Sequence, residues 1–154
     1  MYRISRNIEA SLIDWLTEEL NDAGWTDIRI TKVFAEVYKG TLPCILIEQD
    51  PEDETRLEIG SKVWLKNFFI NIRIFATSDG QRLDLKDFIT DLLEDDINFY
   101  EYVITNGEVF QKTLTGRIVV LKIIRNEKEL KNTQVLEKED RYRNIISIQC
   151  YIAD

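Results

Sequence analysis

Hydrophobic and polar residues change their spacing along this chain often enough to divide it into elements. Ile8, Leu12, Trp15, Leu16 and Leu20 recur at steps of three and four, the spacing of one helix face, and Gly24 supplies a residue that tolerates a left-handed end. A helix is therefore predicted from Ser5 to Asp22. Between Trp25 and Phe34 the alternation is weak, with Ile28 and Ile30 set against Arg29 and Thr31, which predicts a short, partly exposed strand. Leu42-Pro43 leads into Cys44-Ile-Leu-Ile-Glu48, whose unbroken apolar character suits a strand covered on both faces. The acidic run Asp50-Pro-Glu-Asp-Glu-Thr55 has no large apolar side chain and reads as an exposed loop. Arg56-Leu-Glu-Ile59 alternates again before Gly60-Ser61, which predicts a hairpin or a long bent strand with a bulge at the glycine.

The sharpest change of period lies between Asn67 and Ile97. Phe68, Ile70, Ile72, Ile74 and Ala76 alternate with Asn71 and Arg73, the pattern of a strand with one buried face. Ser78-Asp-Gly-Gln81 follows, with Ser and Gln three residues apart as in a capping box, so a helix is predicted to start there. Leu85, Phe88, Ile89, Leu92 and Leu93 then form a helical stripe able to lie on the apolar face of a sheet. The stripe ends in Glu94-Asp95-Asp96, an acidic turn that opposes the helix dipole unless a basic group lies near it.

Beyond this unit, Tyr100, Tyr102 and Val103 are expected to cover the edge of the core. Asn106-Gly107 is a two-residue turn signal, followed by a poorly patterned link as far as Thr115-Gly116. Arg117–Ile124 and Asn144–Ile152 are rich in β-branched residues and predict two last strands that pair. The segment between them, Arg125 to Arg143, is long and charged with both signs. Its only aliphatic residues, Leu130, Val135 and Leu136, are expected to dock on a neighbouring surface. The fold expected is a single α/β domain of α+β type over residues 1–154.

Composition narrows the function by exclusion. The chain has no histidine, which removes imidazole triads, His-containing zinc sites and the commonest general base near neutral pH. No glycine-rich phosphate cradle occurs, and the 50–54 loop lacks the ligand spacing of an EF-hand. Carboxylates are abundant, but nothing selects a catalytic pair. A net charge of −8 opposes binding to a nucleic-acid backbone. No apolar run spans a bilayer, and Met1-Tyr-Arg-Ile-Ser-Arg passes directly into the first helix, so a cytoplasmic protein is expected. Cys44 and Cys150 each sit in an apolar run and read as buried thiols, with a disulfide as the alternative. Trp15 belongs to a core stripe, whereas Trp64, among charged residues, is a candidate interface side chain. Phe69 and Phe75 point away from the side of Ile70 and Ile72. They are contacts with another subunit if the sheet has one covered face, and core if helices cover both.

Taken in order, the first amphipathic helix, Leu42-Pro-Cys-Ile-Leu-Ile-Glu48, the acidic loop, Leu57-Glu-Ile-Gly60, Phe69-Ile-Asn-Ile-Arg-Ile-Phe75, Ser78-Asp-Gly-Gln-Arg-Leu-Asp-Leu85 and the strand entered through Arg141-Tyr-Arg143 resemble tail-terminator (tail-completion) proteins of long-tailed bacteriophages. The resemblance implies a central, mostly antiparallel sheet flanked by helices, in a subunit of a hexameric ring. Such a ring caps the tail tube, ends its polymerisation and joins the tail to a head-side connector or neck protein. It implies no enzyme activity, catalytic residue, metal or cofactor. Its partners would be other copies of the chain and the tube protein, and DNA would pass through the lumen without specific binding. The location implied is the head-proximal end of the virion tail. Candidate subunit or tube contacts are Trp64, Phe69, Phe75, Leu130, Lys131, Val135, Leu136, Arg141 and Arg143. Another head-to-tail joining protein, such as a head-closure subunit, is the alternative within this class. A small ligand-binding module and a carboxylate-based hydrolase are the alternatives outside it.

Overall fold

The computed structural model describes residues 3–37, 39–51, 53–56, 64–129 and 142–154. Its order of elements is α1 (Ile4–Asp22), β1 (Arg29–Thr31), α2 (Phe34–Val37), β2 (Cys44–Gln49), β3 (Asp53–Arg56), β4 (Trp64–Phe75), α3 (Asp79–Leu92), β5 (Ile97–Thr105), β6 (Glu108–Lys128) and β7 (Arg143–Ala153). The sheet runs β1-β2-β4-β7-β6-β5, with β3 paired to the first part of β4. Among the described strands only β1 and β2 are parallel; the remaining pairs are antiparallel. The expected single domain with a mostly antiparallel sheet flanked by helices is the observed architecture.

The alternation along β4 decides how the layers form. Ile70, Ile72 and Ile74 meet Ile148, Ile146 and Asn144 on β7, while Ile72 and Ile74 also meet Ile47 and Ile45 on β2. The isoleucines among these, with Phe68 and Cys150, make one apolar face, covered by Ile8, Leu12, Leu16 and Leu20 of α1 and by Leu85 and Ile89 of α3 with Leu93 at its C-cap. Removing that much aliphatic surface from water is the main stabilising term of the fold. The short helix α2 covers one corner of the opposite face, where Val37 packs with Cys44, Leu46 and Phe75. The weak 25–34 pattern holds the three residues of β1 and the first residue of α2, whose remaining residues fall where no element is predicted.

Local signals behave as their chemistry requires, with one shift. Ser78 caps α3 by accepting from the Gln81 backbone N–H at 3.2 Å, but the Gln81 carbonyl returns to Thr77 N–H at 2.8 Å and to its hydroxyl at 2.9 Å. Arg82, buried in the first turn, donates to Asp79 and to Asn144 on β7, each at 2.9 Å, fastening the start of α3 to the sheet. The helix ends at Leu92, and the acidic turn beyond it has a basic neighbour, since Arg117 lies 2.7 Å from Asp96.

Three expectations fail by excess of loop. Asp53–Thr55, placed in the acidic loop, belong with Arg56 to β3 of a hairpin with β4, in which Asp53 opposes Asn67 and Arg56 opposes Trp64. Arg125–Lys128, read as the start of the long charged loop, are the end of β6. Glu108–Gly116, read as a poorly patterned link, is the first half of a 21-residue strand. Lacking a buried face, that half has no reason to alternate. The bulge expected at Gly60 falls at residues outside those described.

Candidate subunit interface

Among the described strands β6 is the most exposed, and its first half forms a hairpin with β5. Asn106 and Gly107 close it with φ of 54° and 81°, the left-handed pair that a two-residue hairpin turn demands. Where β6 leaves β5 and begins to pair with β7, a Cβ on Gly116 would lie 2.5 Å from the Ala153 carbonyl oxygen, so only glycine fits that crossing.

The sheet register slips four times along β6. Opposite β5, Phe110 and Thr115 are passed over, since Val109 pairs Ile104, Gln111 pairs Val103, Leu114 pairs Tyr100 and Gly116 pairs Phe99. Opposite β7, Leu121 and Ile124 are passed over in the same way. Each slip is a bulge that re-aims a side chain, and three of the four extra residues are large and apolar. All three are exposed, Phe110 at 78%, Leu121 at 51% and Ile124 at 48%. Val109, Leu114 and Ile123 add to the same row. Exposed apolar surface gathered on one element is a mark of an interaction site.

The hairpin is held to the body by polar side chains of α1. Asn7 and Ser11, one turn apart on the buried stripe, accept from the backbone N–H of Tyr102 at 3.3 Å and of Tyr100 at 3.0 Å. Arg6 donates to the Tyr102 carbonyl at 2.6 Å. A helix thus occupies the outer edge of β5, where another strand would otherwise be needed. The Tyr102 hydroxyl donates to Asp14 at 2.6 Å, and Lys112 of β6 meets the same carboxylate at 3.0 Å. Burial first, and then the Asp14 carboxylate, push the Tyr102 hydroxyl far above its ordinary range.

Of the nine sequence-predicted contact residues, the structure describes Phe69, Phe75 and Arg143 with their side chains and Trp64 by its backbone. Phe75 and Arg143 are brought together as a cross-strand pair, with the guanidinium carbon 4.7 Å from the ring centre. Both are inside the subunit, Phe75 at 0% and Arg143 at 2% exposure, and are corrected here to core positions. The physical reason is α2, which covers the second face above Phe75, and Glu129, which takes Arg143 at 2.9 Å. Glu129 also lies 3.5 Å from Arg73, which pairs in turn with Glu48. Phe69 is half-buried on this same face, opposite Gln149. Trp64 begins β4, and its side chain is outside what is described. Leu130, Lys131, Val135, Leu136 and Arg141 lie outside the described residues altogether.

No protein-family model and no curated protein matches this chain. The exposed row on β6 is the feature that sequence reasoning missed. A signal was present in the apolar residues of 109–124, too many for a solvated link and out of step with either period.

The described residues contain no cluster of three or more His, Cys, Asp or Glu side chains able to hold a metal ion. The two thiols are free, buried and raised in pKa by desolvation, Cys150 to about 12. They face opposite ends of β4, Cys44 across from Phe75 and Cys150 across from Phe68, too far apart for the disulfide alternative. No described helix is long and apolar enough to cross a membrane.

Proposed function

We propose that this chain is a structural, non-enzymatic ring subunit of the tail-terminator kind, capping a phage tail tube, ending its growth and joining the tail to a head-side connector. The observation that carries this reading is β6, a 21-residue strand whose apolar side chains Val109, Phe110, Leu114, Leu121, Ile123 and Ile124 are left exposed. A monomer gains nothing from such a row, whereas an assembly buries it. The order of motifs in the sequence and the α/β sheet flanked by helices support the same reading. An acidic chain, at −8, also suits a ring through which DNA must move without adhering.

Light scattering on the eluted protein, alone and with tail-tube protein, tests it. A closed oligomer, or one that forms on the tube and limits tube length, is expected. A chain that stays monomeric and neither binds tubes nor shortens them would refute the reading.

A further inference from the structure

The contact that would build such a ring can be taken further, and this step rests on the ring-forming reading above. β6 lies between β7 and β5, but the two neighbours meet different parts of it. Arg117–Lys128 pairs with β7, and Glu108–Ile118 pairs with β5. Among the described residues, two stretches of β6 therefore have an unpaired edge: residues 108–116 on the side of β7, and residues 119–128 on the side of β5. Both stretches are exposed, and both carry apolar side chains: Val109, Phe110 and Leu114 on one, Leu121, Ile123 and Ile124 on the other. The outer edge of β5 is different, because Asn7, Ser11 and Arg6 already satisfy its backbone there. An exposed apolar edge is a template for another strand.

Charge identifies which strand. The 119–128 stretch carries Lys122, Arg125 and Lys128; Glu127 lies 3.4 Å from Arg125 and Asp79 of α3 lies 4.0 Å from Lys128, so the stretch stays basic through Lys122. Pairing it with its own counterpart about a two-fold axis would set these cations against each other across the strands. The 108–116 stretch and the β5 strand beside it carry Glu101 and Glu108, while their one cation, Lys112, is occupied by Asp14 at 3.0 Å. Basic and acidic open edges of similar length thus lie on opposite sides of one strand in one molecule. We infer that copies of this chain join head to tail by sheet augmentation, the 119–128 edge of one accepting the 108–116 edge of the next. With the helices of both copies on the same face the two β6 strands run parallel, and β6 becomes the link between successive contacts. A heterologous contact of this kind closes into a ring when the rotation per step allows it.

The test uses two variants at exposed positions, Phe110→Asp on the first edge and Ile124→Asp on the second, with thermal unfolding to verify that each is folded. Sedimentation velocity of the wild-type chain over a wide concentration range is expected to show association. Each variant alone is expected to weaken it by about tenfold or more, since central aromatic and aliphatic contacts dominate interfaces. An equimolar mixture of the two keeps one intact edge of each kind and is expected to give heterodimers that grow no further. A mixture that stays monomeric, or a single variant that forms dimers by itself, overturns the head-to-tail contact. If both variants assemble as the wild type does, the contact lies elsewhere and this inference fails while the ring reading survives. A wild-type chain that never self-associates also overturns it, and its effect on tube length then decides the ring reading separately.

Discussion

At the scale of the residue, two phenylalanines show how position decides energetics. Phe75 is fully buried among Val37, Cys44, Leu46 and Phe34, whereas Phe110 stands in solvent on a bulge. Phe75→Ala is expected to cost about 3–5 kcal/mol through lost burial and a cavity. Phe110→Ala is expected to change stability by less than about 0.5 kcal/mol in the monomer. Urea unfolding of both variants checks the pair, and equal losses would contradict the assigned burial. A titrating residue gives a second expectation. The Cys150 thiol rises from 9.0 to about 12 because burial disfavours its thiolate. Between those values the unfolded chain gives up the proton and the folded chain keeps it, so the unfolded state binds fewer protons and stability falls as pH rises. Cys150→Ala is expected to flatten that alkaline decline relative to the wild type, read from unfolding free energies on either side of pH 9. The alternation of 68–76 showed which side of the strand each phenylalanine would take. It could not show that α2 would cover Phe75, because a four-residue helix has too few turns to leave a periodic trace.

At the scale of the element, α1 is both a core helix and the edge cover of β5. Its apolar stripe was legible because a helix must bury one face. The duty of Asn7 and Ser11 was not, although polar residues one turn apart beside Ile8 and Leu12 were a usable signal. Asn7→Ala strands the Tyr102 N–H and is expected to cost about 1–3 kcal/mol. Hydrogen exchange at Tyr102 should accelerate with it; an unchanged rate would mean that another group satisfies that amide. The capping serine of α3 was legible for a similar reason, since the need of a helix N-terminus for acceptors is local. The destination of the Gln81 side chain, one residue earlier than the reciprocal pattern, depends on how the Thr77 backbone leaves the sheet.

At the scale of the whole molecule, β6 sets the outline. It pairs with β5 along one half and with β7 along the other, so each half shows an edge and a row of apolar side chains to the outside. An association built on basic and acidic edges is expected to weaken as ionic strength rises, because exposed charges are screened within a Debye length of about 8 Å at physiological salt. Sedimentation at low and high salt reads this directly. Assembly that strengthens with salt would place the apolar contacts alone in charge and remove the argument from charge. Thermal stability of the monomer should change far less, since its core of aliphatic side chains from β4, β7, α1 and α3 owes little to surface ion pairs.

Periodicity by itself determined the two long helices, the central strand, the last strand and the caps and turns that begin or end them. Each of these is set by interactions within a few residues or by the need to hide one face. What only tertiary structure decided is the fate of the second face and of the exposed arm. Phe75 and Arg143 are interior because α2 and Glu129 come to them from elsewhere in the chain. The 108–116 half of β6 is a strand because β5 pairs with it, and no pattern of burial within its own residues records that.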